Sequence, residues 1–171
     1  GGSVSGGGTV SFDTIIAIEG GTDKKGNFLT SPKGAIGPAQ VMPGTAPYAA
    51  KLAGLPWDET KYRTDAEYNK ALGRAYFEKQ AATFGDPLKA AAAYNAGPGN
   101  PQLKPGQKGY GRGVYGAMAR ASADGNPDQW QSYLPQETKD YVAKYARLSS
   151  GQGGGAKVVA QGGAKQPFQM L

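Results

Sequence analysis

Glu19 is the residue whose surroundings imply the most chemistry. Phe12, Ile15, Ile16 and Glu19 fall at i, i+3, i+4 and i+7, the inward stripe of an amphipathic helix. Ser11 is a suitable N-cap, Asp13 suits the first turn, and Gly20-Gly21 supplies the stop. A carboxylate is thus predicted in the last turn of a helix, on the face that should be apolar. Desolvation there disfavours the charged form and lifts the pKa above its usual value of about 4.3. A glutamic acid still protonated near neutrality is what general acid catalysis needs. The plainer alternative is a glutamate at the stripe's edge that reaches water. Exclusion narrows the rest, because the 171 residues contain no Cys and no His. That rules out a disulfide framework, a thiol nucleophile, a Ser-His-Asp triad, a His base and the usual zinc sites.

The stretch Ser31 to Thr45 is the second place where residue types suggest binding. Pro32, Gly34, Gly37, Pro38, Pro43 and Gly44 forbid a long regular element there. Within it Gln40 and Met42 are spaced by two and face the same way if the segment is extended. An amide and a soft apolar side chain suit a sugar, one for hydroxyl and acetamido groups, the other for a ring face. Taken alone, a Gly/Pro loop is most often only a loop.

Helices must position these residues. One is predicted from near Pro43 through Tyr48 and Leu52 to Gly54. Thr64-Asp65-Ala66-Glu67 reads as a capping box opening a long helix, with Tyr68, Leu72, Ala75 and Tyr76 inward and Gly85 as the stop. Asp86-Pro87 starts the next, Leu88 to Asn95, and Ala90 to Ala93 lets it pack closely as a central helix. Tyr94-Asn95-Ala96-Gly97-Pro98-Gly99 is either a capped helix end or a pair of side chains emerging toward a ligand. Residues 100–134 read as a long loop with a helix from Val114 to Ala121. Tyr110, Tyr115, Trp130 and Tyr133 are sugar-stacking platforms or core residues. A final helix, about Pro135 to Leu148, turns Tyr141, Val142, Tyr145 and Leu148 inward. Glu137 lies in its first turn, where the helix dipole alone would explain a carboxylate.

The net charge of +6 and pI of about 9.4 imply attraction to something anionic. The cations are scattered over Lys33, Lys51, Lys61, Lys79, Lys104, Lys108 and Arg112, so no nucleic-acid arm is expected. No window is apolar over the roughly 18 residues of a membrane span. Gly1 to Thr9 lacks the features of a signal peptide. Residues 1–9 and 151–171 read as flexible Gly-rich tails around a single domain at 10–150.

Four blocks together carry a resemblance. Glu19, the run Ser31-x-x-Gly34-Ala35-x-Gly37-x-x-Gln40-Val41-Met42-Pro43-Gly44-Thr45, Ala93-Tyr94-Asn95-Ala96-Gly97-Pro98-Gly99, and Pro135-Gln136-Glu137-Thr138-Lys139-Asp140-Tyr141-Val142 resemble the soluble-type lytic transglycosylases. These bacterial and phage enzymes cut peptidoglycan. The sequence departs from the family pattern in having Gly20 after the acid, where Ser is usual, and Pro38-Ala39 before the Gln. It also has a longer polar stretch around Asp23-Lys24-Lys25-Gly26-Asn27. The resemblance implies a mainly α, goose-lysozyme-like helical domain with a small irregular or β-like segment beside the cleft. It implies Glu19 as the catalytic residue and Ser31, Gln40, Met42, Tyr94, Asn95, Glu137 and Tyr141 as substrate-binding residues. It implies no metal and no cofactor, and peptidoglycan glycan strands as partner. An isolated domain of this kind is expected to be a monomer, and the larger protein a phage virion component acting in the bacterial periplasm or cell wall. A bacterial cell-envelope enzyme is the alternative.

The family's chemistry needs one acid. Glu19 would protonate the glycosidic oxygen between N-acetylmuramic acid and N-acetylglucosamine, then take the proton from the muramic 6-hydroxyl as a 1,6-anhydro ring closes. An ordinary glycosidase instead needs a second carboxylate, roughly 5–5.5 Å away if retaining, for which Asp23, Glu59 and Glu137 are the candidates. A goose-type lysozyme hydrolysing the same bond and a non-catalytic glycan-binding module are the rival expectations.

Overall fold

Local capping and burial set the element order of the protein, whose computed structural model describes residues 11–154. The elements are α1 (Phe12–Glu19), α2 (Ala46–Ala53), α3 (Glu59–Thr64), α4 (Ala66–Phe84), α5 (Pro87–Ala96), α6 (Gly113–Ala123), a 3-10 helix (Pro127–Tyr133) and α7 (Gln136–Gly154). Two compact units meet inside α4, one ending at Lys79 and the other beginning at Gln80. The tail at 1–9 and most of that at 151–171 lie outside the described residues, although α7 continues as far as Gly154.

In the first unit Ser11 caps α1 by accepting from the Thr14 amide at 3.4 Å. Phe12 and Ile15 are buried, and the Phe12 ring lies 6.2 Å from that of Phe77 on α4. Gly20 ends α1 in the left-handed region at φ 53°. α3 was not legible as a separate helix; Asp58 caps it by accepting from the Lys61 amide at 3.0 Å. Its presence also moves the cap of α4. Thr64 is the last residue of α3 and donates to the Thr60 carbonyl at 2.7 Å. Asp65, extended at φ −106°, therefore caps α4 through the Tyr68 amide at 3.0 Å.

The expected β-like segment is corrected: among the described residues there is no strand and no sheet. Residues 21–41 instead carry three isolated antiparallel bridges, Thr22 with Phe28, Thr30 with Ile36, and Ile36 with Val41. The reason is local. Asp23 and Asn27, then Ser31 and Ala35, then Gly37 and Gln40 each close a tight turn, and the Gly and Pro residues between them leave no run long enough for a ladder.

The side chains of Asn69 and Tyr62 hold this segment to the helices. Asn69 of α4 is fully buried. Its Oδ1 accepts from the Ala39 amide at 2.9 Å, and its Nδ2 donates to the Ile36 carbonyl at 3.0 Å and the Tyr62 carbonyl at 3.1 Å. The buried Tyr62 hydroxyl adds a bond to the Val41 carbonyl at 2.6 Å. Tyr68 ties down the α2–α3 connection, donating to the Pro56 carbonyl at 2.6 Å and accepting from the Asp58 amide at 3.0 Å.

In the second unit α5 packs against α6 and α7. Ala90, Ala91, Ala92 and Ala93 are fully buried, the close approach that their small side chains permit. Val114, Leu134, Val142 and Tyr145 complete this core. Of the four aromatics in residues 100–134, Trp130 is buried and Tyr115 packs its ring 4.8 Å from Phe84.

Two outcomes follow. Asn69→Ala should cost about 3 kcal/mol in urea denaturation, because the buried Ala39 amide loses its acceptor and the Ile36 and Tyr62 carbonyls each lose a donor. Burial pushes the Tyr62 phenol up to about 12, from about 10 when exposed. Its contribution to stability is complete below pH 10 and is lost as pH rises from about 10 through 12. Tyr62→Phe should lose less stability than the parent across that window, measured by denaturation at a series of pH values.

Candidate active site

The position of Glu19 follows from the contact made by the residues after it. Glu19 is half-buried at the end of α1. Gly21 lies so close to the Ser31–Thr45 loop that a Cβ added to it would sit 1.8 Å from the Gly37 carbonyl oxygen. The Leu29 amide donates to the Gly21 carbonyl at 2.9 Å and the Gly37 amide to the Leu29 carbonyl at 3.0 Å. The loop is thus docked on the chain immediately beyond the candidate acid.

Gln40 has φ 50°, so the segment is not extended there and the expected same-side pairing with Met42 is lost. Its Nε2 donates to the Leu29 carbonyl and to the Gly37 carbonyl, each at 3.0 Å. That amide nitrogen braces the loop, and Oε1 is the atom left for a ligand. Ser31 also has a local role, its Oγ accepting from the Ala35 amide at 3.0 Å. Met42 is 41% exposed, and its carbonyl accepts from Thr45 and Ala46 at the turn into α2. Two other carboxylates of this unit are already engaged. Asp23 accepts from Asn27 Nδ2 at 3.0 Å and from the Lys25 and Asn27 amides at 2.8 Å. Those bonds, the Asn27 side chain first, hold its pKa below the usual carboxylate value. Glu59 pairs with Arg63 at 3.0 Å.

In the second unit the helix-end motif and the last motif meet directly. Thr138 of α7, 2% exposed, donates its hydroxyl to Asn95 Oδ1 at 2.8 Å. Fixing that oxygen makes Nδ2 the donor with which Asn95 can meet a ligand. Tyr94 is half-buried in the last turn of α5. On α7 Glu137 is exposed, while Tyr141 is buried.

Sequence reasoning missed Thr138 and Asn69 as determinants of these sites. Thr138 stood inside a quoted motif but beside the charged residue that drew attention. Asn69 carried the same signal as Glu19, a polar residue on an inward stripe, three positions before Leu72 and seven before Tyr76. Among the described residues no group of three or more His, Cys, Asp or Glu is placed to hold a metal, and no helix is long and apolar enough to cross a membrane.

Comparisons with known proteins place this mainly helical chain in a family. The transglycosylase SLT domain family matches residues 12–111, more than half of the chain, and the chain belongs to that family. Over 73 residues it is 39% identical to a soluble lytic murein transglycosylase of Escherichia coli strain K12, covering 42% of this chain and 11% of that protein. Over 77 residues it is 40% identical to the Salmonella typhimurium protein of the same name, with the same coverage of each. The chain therefore spans only about a tenth of these relatives. Among solved structures, an inactive Glu-to-Gln mutant of the lytic transglycosylase Slt from Pseudomonas aeruginosa superposes with a TM-score of 0.54 at 27% identity, covering 82% of this chain and 21% of that one.

Thr138→Val leaves Asn95 Oδ1 without its donor and should cost about 1–2 kcal/mol. Thr138→Ser, which keeps the hydroxyl, should recover most of it; urea denaturation of both variants makes the comparison.

Proposed function

We propose that this chain is a peptidoglycan lytic transglycosylase domain in which Glu19 is first the acid and then the base. It cleaves the β-1,4 bond between N-acetylmuramic acid and N-acetylglucosamine. Glu19 gives its proton to the glycosidic oxygen as that bond breaks. The carboxylate then removes the proton of the muramic 6-hydroxyl, whose oxygen bonds to the anomeric carbon and closes the 1,6-anhydro ring. Proton and oxygen balance without water, so no second carboxylate is required.

The observation that carries this reading is the half-buried Glu19 at the end of α1, joined through Gly21 to the Gly37 turn of the family's motif loop. Three further facts support it. The chain has neither His nor Cys, so carboxylate chemistry is the natural resource. Asp23 and Glu59 are engaged in a turn and an ion pair. The Pseudomonas relative is described as inactive with a Glu-to-Gln change. Within the loop, Gln40 Oε1 would accept from an acetamido N–H or hydroxyl, the Ser31 hydroxyl would donate, and Met42 would cover a ring face. In the other unit Tyr94, Asn95, Glu137 and Tyr141 are assigned further sugar contacts from the family resemblance. The place of action that this substrate implies is the bacterial cell wall or periplasm.

Mass spectrometry of muropeptides released from purified peptidoglycan tests the reading. Products ending in 1,6-anhydro-N-acetylmuramic acid are expected, and Glu19→Gln should lower their release about a thousandfold with an unchanged circular dichroism spectrum. Free reducing ends would make the enzyme a hydrolase of the same bond. No release from the parent chain would leave a glycan-binding module.

A further inference from the structure

From Pro87 to Ala123 the sequence carries Lys89, Lys104, Lys108, Arg112 and Arg120 and not one Asp or Glu. Two of these cations have structural partners. The Lys89 ammonium lies 5.5 Å from the centre of the Trp130 ring. Arg120 donates to the Tyr133 carbonyl, and its guanidinium sits 5.5 Å from the centre of that ring. The other three, Lys104, Lys108 and Arg112, are exposed on residues 100–112, between α5 and α6.

That connection is a chain of turns with a closed base. Asn100 accepts from the Gln102 amide through Oδ1 at 2.8 Å and from the Leu103 amide through its carbonyl at 3.3 Å. The Lys104 amide donates to Gln107 Oε1 at 2.6 Å, while the Gln107 amide returns a bond to the Lys104 carbonyl at 3.0 Å. Tyr110 bonds back to Gln107 at 3.0 Å and Arg112 to Gly109 at 3.2 Å. At the base, a Cβ on Gly99 would lie 2.3 Å from the Arg112 carbonyl oxygen, and one on Gly113 would lie 2.4 Å from the Gly99 nitrogen. The Gly97 and Pro98 carbonyls accept from the first amides of α6, at 3.2 Å from Val114 and 2.8 Å from Tyr115. The strip is thus anchored to the end of α5 that carries Tyr94 and Asn95. Lys104 and Arg112 sit on hydrogen-bonded turns and Lys108 lies between them, which lowers the ordering cost of meeting an anion.

We propose that residues 100–112 are a docking strip for the carboxylates of the peptides that branch from the glycan strands of peptidoglycan. The proposal rests on the reading of peptidoglycan as substrate and extends it from the sugar chain to its side branches. A peptide branch is tethered to the strand engaged by the α5 terminus, so its carboxylates reach the strip at high effective concentration. A separate phosphate polymer of the wall has no such tether. Exposed charge pairs are individually weak, roughly a few tenths of a kcal/mol to 1 kcal/mol each, so the strip adjusts affinity and preference rather than creating binding.

The test compares the Glu19→Gln chain with the same chain also carrying Lys104→Gln, Lys108→Gln and Arg112→Gln. Co-sedimentation is measured with three insoluble walls: peptide-bearing peptidoglycan freed of phosphate polymers, the same wall stripped of peptides by an amidase, and stripped wall that retains its phosphate polymers. The triple change should weaken binding to the peptide-bearing wall about fivefold to tenfold at low salt and to either stripped wall less than twofold. Raising salt to about 0.5 M should erase the difference. Equal weakening on bare and peptide-bearing walls, no weakening anywhere, or weakening confined to the wall with phosphate polymers would each overturn it. Product release by the parent chain is scored separately. Absence of release with an intact peptide-dependent difference would remove the cleavage assignment and leave the docking strip standing.

Discussion

The buried amide of Asn69 is the interaction on which the acid-bearing unit depends. A loop broken by Pro32, Gly34, Gly37, Pro38 and Pro43 cannot satisfy its own backbone as a helix or sheet would. Asn69 supplies what is missing, accepting from Ala39 and donating to Ile36 and Tyr62. The same amide fixes how closely the turn can approach α4, since a Cβ on Gly37 would meet Asn69 Nδ2 at 2.6 Å. Gly37 in turn receives Gly21, and Gly21 lies two residues beyond Glu19, the last residue of α1. A line of contacts therefore runs from the buried face of α4, through two glycines, to Glu19. The role proposed for Glu19, a carboxylate placed to within about 0.5 Å of a reacting bond, calls for such a rigid route.

The second unit uses the opposite means to a similar end. Four consecutive alanines on α5 remove side-chain bulk, and the helix is buried along that stretch. α7 then comes near enough for the Thr138 hydroxyl to reach Asn95. Two motifs 43 residues apart are thereby one structural feature, which gives the Glu137-Thr138 pair a physical role that its charge alone conceals. The same economy governs the carboxylates of the first unit, where Asp23 organises a turn and Glu59 serves α3.

Charge is distributed along the chain in a way the total conceals. The net charge of +6 suggested general attraction to polyanions. The cations nevertheless differ in their work. Lys89 and Arg120 serve aromatic rings, whereas Lys104, Lys108 and Arg112 stand on the acid-free connection between α5 and α6.

Sequence alone determined what is local: the α1 stripe with its Ser11 cap and Gly20 stop, the Asp86-Pro87 start of α5, and the interruption of any long element between Ser31 and Thr45. Periodicity and capping depend on neighbours a few residues away, so they can be read from a string. Sequence also fixed the available chemistry, because absent His and Cys cannot be supplied by folding. What it could not determine were interactions between distant residues. The Thr64 box gave way to Asp65 because α3 claimed Thr64. Gln40 turned its amide nitrogen into the loop because φ at that position is positive, so the expected pairing with Met42 did not form. The β-like segment resolved into isolated bridges because each short turn closes before a ladder can begin. Tertiary structure alone decided that Asn69 would hold the loop and that Thr138 would hold Asn95. A buried polar group takes its partner from whatever backbone or side chain packing brings near, and no spacing in the sequence encodes that choice.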